Sequence, residues 1–329
     1  MKDLDARAAA GQDNVEDVQS FLSRSRAAIE ALPAEERRKE AAQLGAGRVL
    51  LWLWNRRETL RIESFREQTH KAFFEDLCWF LHAEDLEAFI WKWVILEAEA
   101  LRAERAREIN ALPCRNLRWT NYLLGSLATA HLRWQDTAHS AILQLQRMIP
   151  LLGPGKPLEW TASYLGAAVE INRALRERGR PACSVERFDW YLSSLSLWHA
   201  AKRARDQDFA RLLLYHPTRP DPMPTLWLAQ RAISQGTGTR YSTFFSPTGE
   251  RTKKEHRNAA GTQLLRAAYL FTLFGNTEHA GYLEELVQRH HDVVWQAHQK
   301  TLEDLSQEQK LQFLIRSPVA VSASNACQP

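Results

Sequence analysis

No apolar stretch of this 329-residue chain approaches the roughly 20 residues that a bilayer-spanning helix needs. The longest runs, Val49 to Trp54 and Phe89 to Leu96, are broken by charge at Arg56 and Lys92. Cysteine is scarce: Cys78, Cys114, Cys183 and Cys327 form no CxxC pair, so no disulfide framework or zinc-finger spacing is expected, and the usage suits a reducing compartment. Glycine (14) and proline (13) fall below usual levels of roughly 7% and 5%, which argues against collagen-like, loop-dominated and many-stranded architectures. Phosphate-binding loops of the GxxxxGK[ST] or GxGxxG type are missing, as are HExxH and GxSxG. Nucleotide hydrolysis, zinc peptidase chemistry and serine nucleophile chemistry therefore have no local signature.

Isolated polar candidates remain. Glu67-x-x-His70 occurs once, where a di-iron bundle site needs two such motifs and two further glutamates. His291 and His298, seven apart with Trp295 beside them, share a helical face but have no carboxylate at matching spacing. The pairs Glu75-Asp76 and Glu84-Asp85 read as acids complementing helix N-termini. Cys78 and Cys183 have no local histidine partner. The expectation is a chain without cofactor or metal and without a reaction of its own; an all-α enzyme with dispersed site residues is the third reading, after two binding functions.

What the chain does have is helical periodicity. Hydrophobic residues make up 45% and charged residues 25%, a composition able to bury a sizeable core. Asn14, followed by Asp17 and then Val18, Phe21, Leu22 and Ile29, predicts a capped helix over 15–31. Pro33 and Gly45 bracket a second helix, and 48–61, 65–81 and 84–108 follow. In the last of these Leu86, Phe89, Ile90, Trp93, Val94, Glu97 and Leu101 keep the 3, 4, 3 spacing of a buried stripe. Helices are predicted at 116–134, 137–148, 158–178, 185–203, 207–215 and 225–233, then at 255–274, 277–299 and 301–316. No alternating strand pattern stands out, so the class is all-α, arranged as stacked antiparallel hairpins, α-solenoid-like. Among the twelve tryptophans, Trp52/Trp54 and Trp91/Trp93 are i, i+2 pairs that point about 200° apart on a helix, so one of each needs a partner outside a single stripe.

Charge divides the chain. Residues 1–112 carry 17 basic and 21 acidic side chains, 113–266 carry 22 and 11, and 267–329 carry 4 and 7. The organisation read from this and from the punctuation is an acidic helical region at 1–112, a basic repeat-like region at 113–234, a loop or linker at 235–254, C-terminal helices at 255–316 and a tail at 317–329. A basic block of this size suits a partner with an acidic surface, a protein or RNA.

One internal similarity stands out. Trp119-Thr120 with Leu124-Gly125 and Trp160-Thr161 with Leu165-Gly166 repeat the pattern W-T-x3-L-G at a separation of 41 residues. An aromatic anchor followed by a small residue lets a neighbouring helix approach closely. Ala141 to Met148, the exit Gly155-Lys156-Pro157 and a further exit at Arg219-Pro220-Asp221 complete a stretch that resembles the tetratricopeptide and pentatricopeptide families of helical repeats. The resemblance implies a binding surface, with Asn121, Ser163 and Asp221 at positions that read RNA bases in the pentatricopeptide family, and it implies organellar RNA metabolism. Arg173, Arg176, Arg180, Lys202, Arg203, Lys253, Lys254 and Arg257 are the candidate cations for RNA or an acidic protein partner. The leading expectation is a protein-interaction scaffold or adaptor, with RNA binding as the alternative. Asp3, Asp5, Asp13, Glu16 and Asp17 are unlike an arginine-rich mitochondrial presequence, so the cytoplasm is the expected compartment and the mitochondrion the alternative.

Overall fold

The computed structural model describes residues 15–56, 69–107, 118–135, 137–151, 158–176, 183–198, 202–234 and 251–303. Every regular element among them is a helix, as the sequence predicts. The chain divides into two units, Met1–Ala174 and Leu175–Pro329. The basic region read at 113–234 therefore contributes helices to both.

The first unit contains α1 (Val15–Glu30), α2 (Ala34–Ala42), α3 (Ala46–Arg56), α4 (Thr69–Ala83), α5 (Glu87–Arg107), α6 (Arg118–Gln135), α7 (Ala138–Leu151) and α8 (Leu158–Ala174). Its centre is α4. Phe73, Phe74, Leu77, Cys78, Trp79, Phe80, Leu81 and Ala83 are all buried, and a helix apolar around its whole circumference has to be enclosed by others. The enclosing helices are α1, α2, α3, α5 and α6. Glu75-Asp76 lies in the middle of α4, not at a helix start. Asp76 is buried and is met from α1, accepting a hydrogen bond from Arg26 Nη1 (2.8 Å) and another from Ser23 Oγ. Arg26 also bonds Glu30 at 2.9 Å and lies over the Trp79 ring.

The outer row of the unit is set by glycine. α6 packs on α8 as well as on α4. A Cβ placed on Gly125 would lie 3.3 Å from the carbonyl carbon and oxygen of Gly166. The two glycines of the repeated W-T-x3-L-G pattern thus meet each other, so the small residue does admit the neighbouring backbone.

The second unit contains α9 (Val185–Trp198), α10 (Lys202–Leu213), α11 (Met223–Ser234), α12 (Arg251–Leu273), α13 (Thr277–His290) and α14 (Asp292–Glu303). Each packs on the next, and α14 also returns to α12. Leu226, Ala229, Leu264, Ala268, Phe271, Leu283 and Val287 form the core. Two expected helices differ in their bounds. The stretch 185–203 is described as Val185–Trp198 and the start of α10 at Lys202, with 199–201 outside the described residues. The stretch 277–299 breaks at His291, whose backbone leaves helical geometry and whose side chain turns inward over Gly261. The expected start of a helix at Thr301 falls inside α14, and 304–316 lies outside the described residues. Of the 235–254 loop, 251–254 belong to α12 and the remainder lies outside the described residues.

Substituting Gly125 with Leu forces α6 and α8 apart and is expected to lower the unfolding free energy by about 1–3 kcal/mol. Denaturant titration of the variant beside the parent checks it.

Candidate functional site

The turn between α4 and α5 shapes two clefts. The amide of Leu86 donates to the carbonyl of Leu81 (2.9 Å) and that of Asp85 to His82 (3.3 Å), the double closure of a helix C-terminus. Asp85 occupies the left-handed position at φ 58°, where glycine is usual. The Glu84 carboxylate accepts from the amides of Ala46 and Gly47. The acid therefore complements a helix N-terminus as its residue type suggests, but that of α3 rather than of the helix that follows it. This brings α3 and α5 side by side, and α5 starts three residues later than its pattern implies.

One cleft is apolar. About 490 Å3 in volume, it runs between α3 and α5 and is lined by Leu50, Leu51, Trp54, Phe89, Trp93 and Leu96, with Lys92 at its edge. Trp54 and Trp93 meet edge to face at 5.8 Å, one member of each i, i+2 pair. The expected buried stripe holds at Ile90, Trp93 and Val94 but not at Phe89, which is 56% exposed, as Leu51 is 59% exposed.

The other cleft, about 470 Å3, takes Glu87, Ala88 and Trp91 from α5 together with Arg38, His82, Asp85, His131, Gln135, Gln144 and Arg147. Trp91 thus finds its partners away from Trp93. At the base of the cleft His82 Nδ1 contacts Glu87 Oε1, and His131 Nε2 lies 3.0 Å from Oε1 and 3.1 Å from Oε2. The imidazoles are 4.5 Å apart and nearly perpendicular. Trp134 stacks on Trp79 at 4.5 Å, donates its indole N–H to the Trp79 carbonyl (2.9 Å) and backs the His82 ring. Burial pushes the Glu87 carboxyl up, but hydrogen bonds from His131 and His82 and their charge outweigh it and hold it down at about 2. One nitrogen of each ring, His82 Nε2 and His131 Nδ1, is buried without a hydrogen-bond partner.

The second unit contains a histidine of the opposite kind. His216, fully buried, accepts at Nδ1 from the amides of Arg219 (3.0 Å) and Thr218 (3.3 Å), and its Nε2 donates to Asp189 at 3.0 Å. Arg219 completes the group by bonding Asp189 at 2.8 Å. The hydrogen bond from His216, with the charge of Arg219, lowers the Asp189 carboxyl from its usual range. Both ring nitrogens are used, so this group pins the turn between α10 and α11.

The residues singled out from the sequence lie elsewhere. Arg173 pairs with Glu170, which also meets Lys71 at 3.5 Å. Arg176 stands near Arg211, whose guanidinium is shifted down first by burial and then by Arg176. Asp221 accepts from the Met223 amide (2.9 Å), capping the start of α11. Asn121, Ser163, Lys202, Arg203, Lys253, Lys254 and Arg257 lie on α6, α8, α10 and α12; their side chains and that of His70 on α4, and all of Glu67 and Arg180, fall outside the described residues. Cys78 and Cys183 are buried, and burial raises both thiols, that of Cys183 to about 12. Both are poor nucleophiles in that state. The His82, Glu87 and His131 group escaped a search by spacing because its members come from three helices. The available signal was His82 itself, a histidine within the apolar run of α4.

Glu87 is more acidic in the folded protein than its usual 4.5, so its ionised form stabilises the fold above that pH and the contribution disappears as pH falls from 4.5 towards 2. The interval is worth about 3 kcal/mol at the standard conversion. Urea unfolding of the parent is expected to weaken across that window, and Glu87→Gln to flatten this part of the profile. No family model matches the chain, and no curated protein or solved structure matches it.

Proposed function

We propose that the chain is a non-catalytic helical binding protein, a scaffold or adaptor whose groove between α3 and α5 receives an amphipathic helix of a partner protein. The observation that carries this reading is the groove itself: large apolar side chains, Leu51 and Phe89, stand more than half exposed on either side of a floor made by Trp54 and Trp93. Exposed apolar residues gathered at one concavity mark interaction sites, whereas scattered ones do not. An apolar cleft with one helix on each side suits a helix that lays i, i+3/i+4 and i+7 anchors into the groove. Lys92, exposed at the edge, favours a partner with an acid beside its apolar anchors. The same reading draws support from the packing of α4 on α6 and of α6 on α8, although α5 and α7 intervene in sequence. The RNA alternative draws less support, because Arg173 and Asp221 already serve ion pairing and capping within the chain. Among the described residues no helix is long and apolar enough to cross a membrane.

A fluorescein-labelled synthetic amphipathic helix with leucines at i, i+3 and i+7 and a flanking glutamate is the probe. It is expected to bind the parent with micromolar affinity. Phe89→Glu or Leu51→Glu should weaken it by at least about tenfold, or about 1.4 kcal/mol. Lys92→Glu should reverse the preference towards a probe carrying lysine in place of the glutamate. Binding indifferent to these substitutions contradicts the reading, as does tight, salt-sensitive binding of a single-stranded RNA probe in place of the peptide.

A further inference from the structure

We infer that His82, Glu87 and His131 form a binding site for a divalent transition-metal ion, independent of the apolar groove. Three helices each supply one ligand: α4 gives His82, α5 gives Glu87 and α6 gives His131. One donor atom from each lies within 4.8 Å of the others, and the His131 nitrogen is 3.0 Å from the carboxylate. Ligand atoms around one tetrahedral ion with bonds near 2.05 Å stand about 3.3 Å apart, so small side-chain rotations suffice to admit it. Two imidazole nitrogens and one carboxylate suit zinc, cobalt or ferrous iron, and are too nitrogen-rich for magnesium or calcium.

Burial makes the group unusual. The histidine side chains are only 7% and 3% exposed, in a unit whose central helix buries mainly apolar residues, with Asp76 as its other buried charged group. If the imidazoles serve only to bond Glu87, their N–H groups point inward and two lone pairs are left buried on the far sides of the rings. Ligation needs the opposite tautomers, with protons on His82 Nε2 and His131 Nδ1 and lone pairs facing the carboxylate. No protein donor opposes them, because nothing bonds either outer nitrogen. His216 shows the contrast, since backbone amides occupy its Nδ1 and dictate one tautomer. The polar cleft gives an ion a path in and leaves coordination positions facing Arg38, Asp85, Gln135, Gln144 and Arg147. Arg38 is engaged with Asp85 at 2.9 Å. Water or an anion would complete the shell on that side.

Full-length protein, stripped with a chelator and dialysed, is titrated with Zn2+ by calorimetry and with Co2+ by visible spectroscopy. One equivalent per chain is expected, with the intense d–d absorption of a low-coordinate nitrogen and oxygen site and competition between the two ions. Glu87→Gln and His131→Gln should each weaken binding by more than about a hundredfold, beyond the usual effect of losing an outer-shell partner. His291→Gln, at a buried histidine of the second unit, should leave binding unchanged. Should either site variant fail to fold, Co2+ added to the 15N-labelled parent must shift the indole resonances of Trp91 and Trp134 ahead of those of Trp227 and Trp295. Absence of stoichiometric binding, affinity unaltered in folded site variants, or shifts confined to the other tryptophans overturns the assignment.

Discussion

A helix enclosed on all sides hides its apolar residues at no penalty but must find a partner for each polar group it carries inside, and α4 takes Asp76 and His82 into the interior of the first unit. Asp76 is met from α1 by Arg26 and Ser23; His82 is met from α5 by Glu87. These two demands fix where α1 and α5 lie against α4 more narrowly than apolar packing, which is indifferent to small rotations. Losing Arg26 would leave a buried carboxylate uncompensated, a defect worth about 3–5 kcal/mol. The ion pair therefore reads as a device of placement as much as of stability.

From the position of α5 both clefts follow. Its Phe89, Trp93 and Leu96 complete the apolar groove with α3, while Glu87 and Trp91 point into the polar cleft. The short turn through Asp85 is what permits this, because it ends α4 abruptly enough for Glu87, five residues on, to reach back to His82. Glu84 in the same turn holds the start of α3. One connection thus orders the apolar groove and the His-Glu-His group together.

Much of the helical class was legible because 3.6-residue periodicity and Gly/Pro punctuation are local properties, as at Val15–Glu30, Ala34–Ala42 and Met223–Ser234. The W-T-x3-L-G repeat gave more, since close approach of α6 and α8 does occur at Gly125 and Gly166. Periodicity cannot tell a buried face from an apolar face left open, which is why Phe89 was placed in a core stripe. It also misses a break such as that at His291, made by a side chain turning in over a glycine on another helix. The polar cleft was illegible for a related reason: 49 residues separate His82 from His131, and only the packing of α4 on α6 joins them. Charge counted along the chain ignores local pairing, so Arg173 is a candidate although Glu170 engages it, and the repeat resemblance ignores capping, so Asp221 is one although it accepts from the Met223 amide.

Native-state hydrogen exchange resolved by residue tests the central role of α4 most directly. The amides of Phe73 to Leu81 should be the slowest in the first unit, exchanging only through its global unfolding and with the full unfolding free energy, while those of the largely exposed α2 exchange by local opening. Exchange of α4 at rates matching α2, or in a subglobal step that leaves α6 and α8 protected, would contradict the account.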